Sequence, residues 1–207
     1  AGDGEYRNYG IEFDGVQVTS NTGDIVVSGT GGDGSEGYNY GIYWESDYYY
    51  WWDEEAQTEE YTVISGLAST GGDGTVTITA TGGSGYYSNY GIYAEGLNVE
   101  AENGDITISG TGGDSVDGYG NYGIYWYNSG EEGEGSSSEE SFNDYIYTSG
   151  TGNIIVTGIG GDGSEGYGIY SSGLDIYSNG GGDITMSGTG GLDNSVEGYG
   201  YGVGLYM

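Results

Sequence analysis

A ten-residue segment that alternates apolar and polar residues occurs five times in this chain of 207 residues. The copies, such as GDIVVSGTGG and GDITISGTGG, begin at Gly23, Gly74, Gly104, Gly152 and Gly182. Their apolar residues recur at every second position, which is the period of a β-strand with one buried face. We therefore expect Ile106 and Ile108 to point inwards, and we expect one structural unit to be repeated along the chain.

A second repeated motif, Tyr-Gly followed by Ile or Val, precedes each copy of this strand and occurs once more near the end of the sequence. Its copies are spaced by 31, 50, 32, 45 and 34 residues, and they begin at Tyr9, Tyr40, Tyr90, Tyr122, Tyr167 and Tyr201. A third short run, as in GLNVEAEN from Gly96, lies between the two motifs. The unit is therefore three short strands separated by glycine corners, and two of the units carry an insertion.

Three short strands repeated about every 32 residues are typical of coils that stack on one another. No segment has the 3.6-residue period of an amphipathic helix, so we expect an all-β chain. The prediction is a single domain, residues 1–207, folded as a parallel β-solenoid, specifically a right-handed β-helix, with three short strands per coil and about five coils plus a partial sixth. An antiparallel sandwich or barrel is the alternative, but it does not predict one core column of Ile11, Ile42, Ile92, Ile124, Ile169 and Val203.

The charge and the missing residue types exclude several classes of function. Thirty-three acidic residues against a single Arg7 give a formal charge of -32, which repels nucleic acids and anionic lipid headgroups. No segment approaches the roughly 20 apolar residues of a membrane span. The absence of histidine and cysteine excludes nucleophilic triads, and no carboxylate pair stands out among so many. We expect no enzyme, no nucleic acid partner and no membrane span.

The segments GDITISGTGG and NYGIY resemble the glycine-rich repeats of filamentous-haemagglutinin-like and other large secreted adhesin proteins. The resemblance covers nearly the whole chain except the two insertions. It implies a secreted or cell-surface β-helix that acts as a stalk, adhesin or fibre, and it implies no catalytic residues. Those proteins are usually much longer than this chain.

The first and last segments, EYRNYGIEF and EGYGYGVGLYM, have the same phase in the repeat. Both ends of a solenoid cut at this phase would expose unpaired strands. We therefore expect copies of the chain to associate head-to-tail into an extracellular filament or a matrix or sheath fibre. The expected assembly ends are Tyr9, Ile11, Phe13, Tyr201, Val203, Leu205 and Met207. Terminal residues that fold over as small caps, or ends that belong to a fragment, are the alternatives.

The insertions, residues 46–65 and 129–143, follow the Tyr-Gly-Ile strand in the second and fourth coils, and should protrude at one corner about 10 Å apart. The first contains five consecutive aromatic residues, Tyr48, Tyr49, Tyr50, Trp51 and Trp52. These residues could cover their own coil, contact another subunit or stack on a glycan. The last interpretation makes a surface adhesin, with a glycan or cell-surface partner, the alternative function.

The corner after the repeated strand is acidic, as in GGDGSEG at Gly31 and Gly160. Stacking would bring carboxylates into one column, and like charges at that distance need protonation or a bridging cation. Calcium, which prefers oxygen ligands, is the expected cofactor if one is bound, and loosely held counterions are the alternative. The candidate ligands are Asp33, Glu36, Asp114, Asp162, Glu165 and Asp193.

Threonine pairs such as Thr77 and Thr79 suggest one further class, a flat ice-binding array. The equivalent positions in other coils, for example Val26 and Ser28, are irregular. The tendency of threonine to occur in strands is the simpler explanation at this level.

Overall fold

All the regular secondary structure of the described residues is β-strand, and these residues contain no helix. The computed structural model describes residues 4–53, 58–115, 118–128, 144–193, 202 and 204–206, and of residues 48–53 and 58–64 it describes the backbone alone. The all-β prediction is therefore confirmed for this part of the chain.

The strands form five coils and the beginning of a sixth. The first coil contains β1 (Ile11–Asp14), β2 (Gln17–Ser20) and β3 (Ile25–Thr30). The second contains β4 (Ile42–Glu45), a hairpin of β5 (Asp47–Asp53) and β6 (Thr58–Ile64), then β7 (Gly66–Ser69) and β8 (Val76–Thr81). The third and fourth contain β9 (Ile92–Glu95), β10 (Val99–Ala101), β11 (Ile106–Thr111), β12 (Ile124–Tyr127), β13 (Asp144–Thr148) and β14 (Ile154–Ile159). The last strands are β15 (Ile169–Ser172), β16 (Leu174–Ser178), β17 (Ile184–Thr189) and β18 (Leu205–Tyr206).

Each coil contributes one strand to each of three parallel sheets, so the chain is a parallel β-solenoid. The first sheet has the order β1-β4-β9-β12-β15-β18. The second is β2-β7-β10-β13-β16 and the third is β3-β8-β11-β14-β17. The pairing is in register: Ile106, for example, lies between Val76 and Ile154. Each residue therefore contacts its own counterpart in the coils before and after it.

The core contains the inward residues of all three sheets, as the period-two pattern predicts. Ile106 and Ile108 are completely buried, whereas Thr107 and Ser109 between and beyond them are partly exposed. The predicted column of Ile11, Ile42, Ile92, Ile124 and Ile169 is present in the first sheet. Because such ladders repeat one buried side chain in every coil, they hold the register of the whole stack.

The last member of that column is Leu205, not Val203, so this part of the prediction is wrong. Leu205 pairs with Ile169, and the Ile169 N–H donates to the carbonyl oxygen of Gly204 at 3.0 Å. Val203 itself lies outside the described residues.

The segment YGVGLY, residues 201–206, explains the error. It contains two glycine-centred motifs, YGV and VGL, and either can be aligned with the Tyr-Gly-Ile motif of the earlier coils. The register that is adopted places the ring of Tyr206 on that of Tyr170, with centroids 5.0 Å apart and planes at 4°. The other register would move Tyr206 out of line with Tyr170. Stacking of the aromatic rings therefore selects the copy that begins at Val203.

Glycine is required where the backbones of two sheets meet. A Cβ atom at Gly110 would lie 2.1 Å from the carbonyl oxygen of Gly123, and one at Gly41 would lie 2.6 Å from the backbone of Thr81. These distances leave no room for a side chain. The glycines of the Tyr-Gly-Ile and Ser-Gly-Thr motifs thus close one side of each coil by backbone contact, although Ala80 fits at the Gly110 position in the second coil.

A buried ladder of asparagine side chains runs beside this contact. The Nδ2 group of Asn8 donates to Oδ1 of Asn39, that of Asn39 to Asn89, and that of Asn89 to Asn121, at 2.7, 2.9 and 2.9 Å. The last three residues are completely buried. Since each amide satisfies its neighbour, four polar side chains lie in the interior without unpaired groups.

We expect Asn89→Ala to lower the free energy of unfolding by about 2–4 kcal/mol, because it removes ladder partners from both Asn39 and Asn121 inside the core. Urea unfolding followed by circular dichroism measures the change. Asn179→Ala is the matched control because Asn179 is exposed, and it should change stability by no more than about 0.5 kcal/mol. Equal effects of the two substitutions would contradict the ladder.

Candidate functional site

The expected assembly residues of the first coil do lie together at one end of the solenoid. Ile11 and Phe13 belong to β1, which is an edge strand of the first sheet. The Phe13 ring contacts that of Trp44 at 4.3 Å, and the Tyr9 ring stacks on Tyr40 at 5.1 Å. Each of these residues therefore packs on the second coil and leaves its other side at the end face.

The opposite end exposes apolar residues whose counterparts in the interior coils are buried. Ile184 in β17 is 45 % exposed, whereas its counterparts Ile106 and Ile154 are completely buried. Leu205 in β18 is 44 % exposed. Of the other expected assembly residues, Tyr201, Val203 and Met207 lie outside the described residues.

Two columns of stacked tyrosine rings cover the outer side of the first sheet. The first column has centroid distances of 4.8 to 5.1 Å and consists of Tyr9, Tyr40, Tyr90 and Tyr122. The second has distances of 5.0 to 5.4 Å and consists of Tyr43, Tyr93, Tyr125, Tyr170 and Tyr206. Because the ring faces cover one another, and Tyr40 and Tyr122 are buried, the faces within these columns are not open for stacking on a sugar.

Carboxylates accept hydrogen bonds from the tyrosine hydroxyls. Tyr43 donates to Glu45 at 2.6 Å, and Tyr93 donates to Glu95 at 2.9 Å. Burial, followed by the charge and the hydrogen bond of Glu95, raises the pKa of Tyr93 well above its ordinary value of 10.0. Burial is also the main cause that raises the pKa of Tyr90 to about 12. Tyr90 and Tyr93 therefore stay uncharged far into the alkaline range.

The corner that carries the insertions differs between alternate coils. In the first, third and fifth coils the chain turns directly through a left-handed glycine, at Gly15, Gly96 and Gly173, with φ of 58°, 70° and 75°. Such φ values favour glycine because it has no Cβ. The second and fourth coils have insertions at this corner, as predicted.

A buried tryptophan joins the two ends of each insertion. Trp44 donates its indole N–H to Ser65 Oγ at 2.7 Å, and Trp126 donates to Asp144 Oδ2 at 2.9 Å. Both tryptophans are 1 % exposed. The third coil has no insertion, and there Ala94 occupies the same position. The tryptophan therefore fills the base of the insertion and anchors it.

The aromatic run of the first insertion lies in β5, which pairs antiparallel with β6. The side chains of Tyr48, Tyr49, Tyr50, Trp51 and Trp52 lie outside the described residues, as does the whole of the second insertion, 129–143. Their three interpretations stay predictions.

Asp144 is an ionisable residue that the sequence analysis did not identify. It is 1 % exposed and accepts hydrogen bonds from the Trp126 indole and from the Gly96 N–H, the latter at 3.2 Å. Burial nevertheless raises the pKa of its carboxyl to about 7, because the loss of water outweighs the two hydrogen bonds.

The acidic corner is a set of hydrogen-bond acceptors. Asp33, Asp114 and Asp162 each accept the backbone N–H of the residue at the same position in the next coil, at 2.8 Å. Ser84 and Leu192 occupy that position in the second and fifth coils, so the expected column is interrupted and Asp193 does not belong to it.

The described residues contain no group of three or more acidic residues arranged to hold a metal ion. Of the two glutamates expected near the acidic corner, Glu165 accepts a hydrogen bond from Tyr122 at 3.1 Å, and Glu36 accepts the N–H of Tyr87 through its backbone carbonyl at 3.0 Å. Calcium binding at this corner stays a prediction.

The sequence analysis missed the asparagine ladder, the second tyrosine column and the two tryptophan anchors. The pentapeptide NYGIY, which begins at Asn39, Asn89 and Asn121, contains the signal for the first two. Trp44 and Trp126 lie two and three residues before the first residues of the insertions, which is the signal for the third.

Comparisons with family models, with curated proteins and with solved structures find no match to this chain. No helix in the described ranges is long and apolar enough to cross a membrane.

Asp144 should make stability depend on pH. Its raised pKa means that the folded chain holds this proton more tightly than the unfolded chain, so the free energy of unfolding falls as pH rises from about 4 to about 7, by up to about 1.4 kcal/mol per pH unit. Asp144→Asn should be more stable than the parent at pH 8 and similar to it at pH 4, as measured by urea unfolding. Asp175→Asn, which removes an exposed charge on β16, controls for net charge. The same pH profile in both variants would contradict the assignment.

Tyr90, in the first tyrosine column, should resist ionisation in the folded chain. Because burial raises the pKa of Tyr90 to about 12, stability should be lost as pH rises above about 10, where unfolded tyrosines ionise. Absorbance at the phenolate band, measured against pH with and without urea, reports the difference. Superimposable titration curves would show that the rings are not buried as described.

Proposed function

We propose that this chain is an extracellular structural protein whose solenoid stacks end to end on copies of itself, forming a filament or matrix fibre. The observation that carries the proposal is the exposure of Ile184 at the last coil, where its counterparts in earlier coils are buried. A further coil on β17 would bury Ile184 in the same way. An apolar side chain exposed beside an unpaired strand is a site for association.

Side-chain hydrogen bonds at the start of the third sheet support stacking in one direction. Asp105 accepts the Asn153 N–H at 2.7 Å, and Asn153 Oδ1 accepts the Asp183 N–H at 2.9 Å. At the other end, Asp24 accepts the Thr75 N–H at 2.8 Å. In the proposed filament Asp183 accepts the N–H of Asp24 from a second copy, because the two residues have the same position in the repeat.

The three sheets do not end at the same level. Among the described residues the first sheet has six strands and the other two have five, because β18 extends the first. A second copy that continues all three sheets must place its own β1 on β15, where β18 lies. β1 and β18 both follow a glycine of the same phase, Gly10 and Gly204, so either can occupy this position. The axial repeat is then five coils, about 24 Å.

The charge distribution favours end-to-end over side-by-side association. The chain has a formal charge of -32, and described carboxylates such as those of Asp33, Asp105 and Asp175 are exposed on the flanks, so the flanks of two solenoids repel each other. The strand edges at the ends present backbone groups and apolar residues instead. Salt shortens the range of the repulsion, and assembly should therefore be stronger at high ionic strength.

Electron microscopy of the purified chain at high salt tests the proposal. We expect filaments with an axial repeat of about 24 Å. Ile184→Lys should abolish them, because it places a charge where the next coil packs. Ile155→Lys is the matched control: Ile155 is 38 % exposed, but it points outward from β14, so its filaments should persist.

Deletion of residues 204–207 distinguishes displacement of β18 from simple addition to it. Displacement predicts faster assembly of the shortened chain, because the competing strand is gone. Slower assembly would show that β18 is itself the docking strand. Monomers of the parent chain at every salt concentration, or filaments of Ile184→Lys equal to those of the parent, would overturn the proposal.

A further inference from the structure

The outer face of the third sheet is a regular array of hydroxyl groups. The strands β3, β8, β11, β14 and β17 are in register over six residues each, so every second residue belongs to one of three outward columns. The middle column carries a hydroxyl in every coil and consists of Ser28, Thr79, Ser109, Thr157 and Ser187. The sequence alone did not show this regularity, because it did not supply the register.

The two outer columns complete the array. Seven of their ten positions are threonine, and the other three are Val26, Ile155 and Ile159. All ten residues are therefore β-branched and carry a methyl group that points outward. The face combines hydroxyls and methyls, at spacings of about 4.8 Å between strands and about 6.7 Å along them.

This face carries no charged and no aromatic side chain, although the chain has 33 acidic residues. The carboxylates at its border, such as those of Asp24 and Asp105, accept backbone N–H groups of the next coil at 2.8 and 2.7 Å. These carboxylates therefore form hydrogen bonds to the neighbouring strand. The third sheet thus has a neutral face on a strongly acidic protein.

A protein partner does not fit this face. Five strands of six residues cover about 400 Å², roughly half of the 800 Å² that each partner buries in a stable interface. The face also lacks the aromatic, arginine and methionine residues that dominate such interfaces. A charged mineral surface would call for carboxylates, and a crystalline polysaccharide would call for aromatic rings.

We propose that this face binds ice. Each hydroxyl donates and accepts hydrogen bonds, so it can take the place of a water molecule in a neutral lattice. The methyl groups between the hydroxyls order the water next to them. The rectangular repeat of the array is similar to that of oxygen atoms on the prism faces of hexagonal ice. Charged side chains would disturb such a layer, which explains why the face excludes them.

Partition into a slowly growing ice hemisphere tests the proposal directly. The protein in the ice and in the liquid is quantified by its tyrosine and tryptophan absorbance. We expect the parent chain to be enriched in the ice several-fold over a non-binding protein of equal size. Thr79→Lys, in the middle column of the array on the interior strand β8, should remove most of this enrichment.

Thr19→Lys is the matched control, because Thr19 is an exposed threonine on the outer side of the second sheet. It should partition like the parent. Circular dichroism shows whether each variant is folded. If Thr79→Lys does not fold, Thr189→Lys on the edge strand β17 replaces it as the array variant. Exclusion of the parent chain from ice, or equal loss in the Thr19→Lys and array variants, would overturn the proposal.

Discussion

Backbone hydrogen bonding between successive coils is the interaction on which the rest of the structure depends. A coil of three short strands cannot satisfy its own backbone groups, so each coil relies on those above and below it. The three parallel sheets result from this dependence. In-register pairing then places each side chain on its counterpart, and it decides which residue types each position tolerates. Positions where backbone meets backbone accept only glycine or, in one coil, alanine.

Vertical stacking of equivalent residues would be unfavourable for polar and charged groups without partners. In this chain, polar side chains instead form hydrogen bonds with the next coil. Asn39 donates an amide hydrogen bond to Asn89 in the interior, while Asp33 and Asp114 accept backbone N–H groups at the surface. The tyrosine columns use ring stacking for the same purpose. The many acidic residues are thus compatible with close stacking, because several of them have a fixed hydrogen-bond donor.

The repeat of the sequence was sufficient to predict the solenoid, the three strands per coil and the inward positions such as Ile106. It could not decide between two overlapping glycine motifs near residue 203, because both satisfy the local pattern and only the stacking of Tyr206 on Tyr170 distinguishes them. Nor could it predict that Asp144 is buried, since that follows from its hydrogen bond to Trp126 across an insertion. Asp193 was misplaced because Leu192 occupies the equivalent position. Contacts between distant segments explain each of these differences.

The two proposals use different surfaces of the same stack. End-to-end assembly uses the unpaired strands and the exposed Ile184, whereas ice binding uses the neutral flank of the third sheet. Both depend on coils that continue in register from β3 to β17. A slip of one residue between any two coils would turn the hydroxyl columns inward and break both surfaces.

Distance measurement by electron paramagnetic resonance tests this register most directly. The chain has no cysteine, so nitroxide labels can be attached to Ser28→Cys combined in turn with Thr79→Cys, Ser109→Cys, Thr157→Cys or Ser187→Cys. The account predicts that the distance from residue 28 grows by about 4.8 Å per coil, although the sequence separation grows unevenly. Distances that do not increase in equal steps, or that are broadly distributed, would contradict in-register stacking and with it the solenoid.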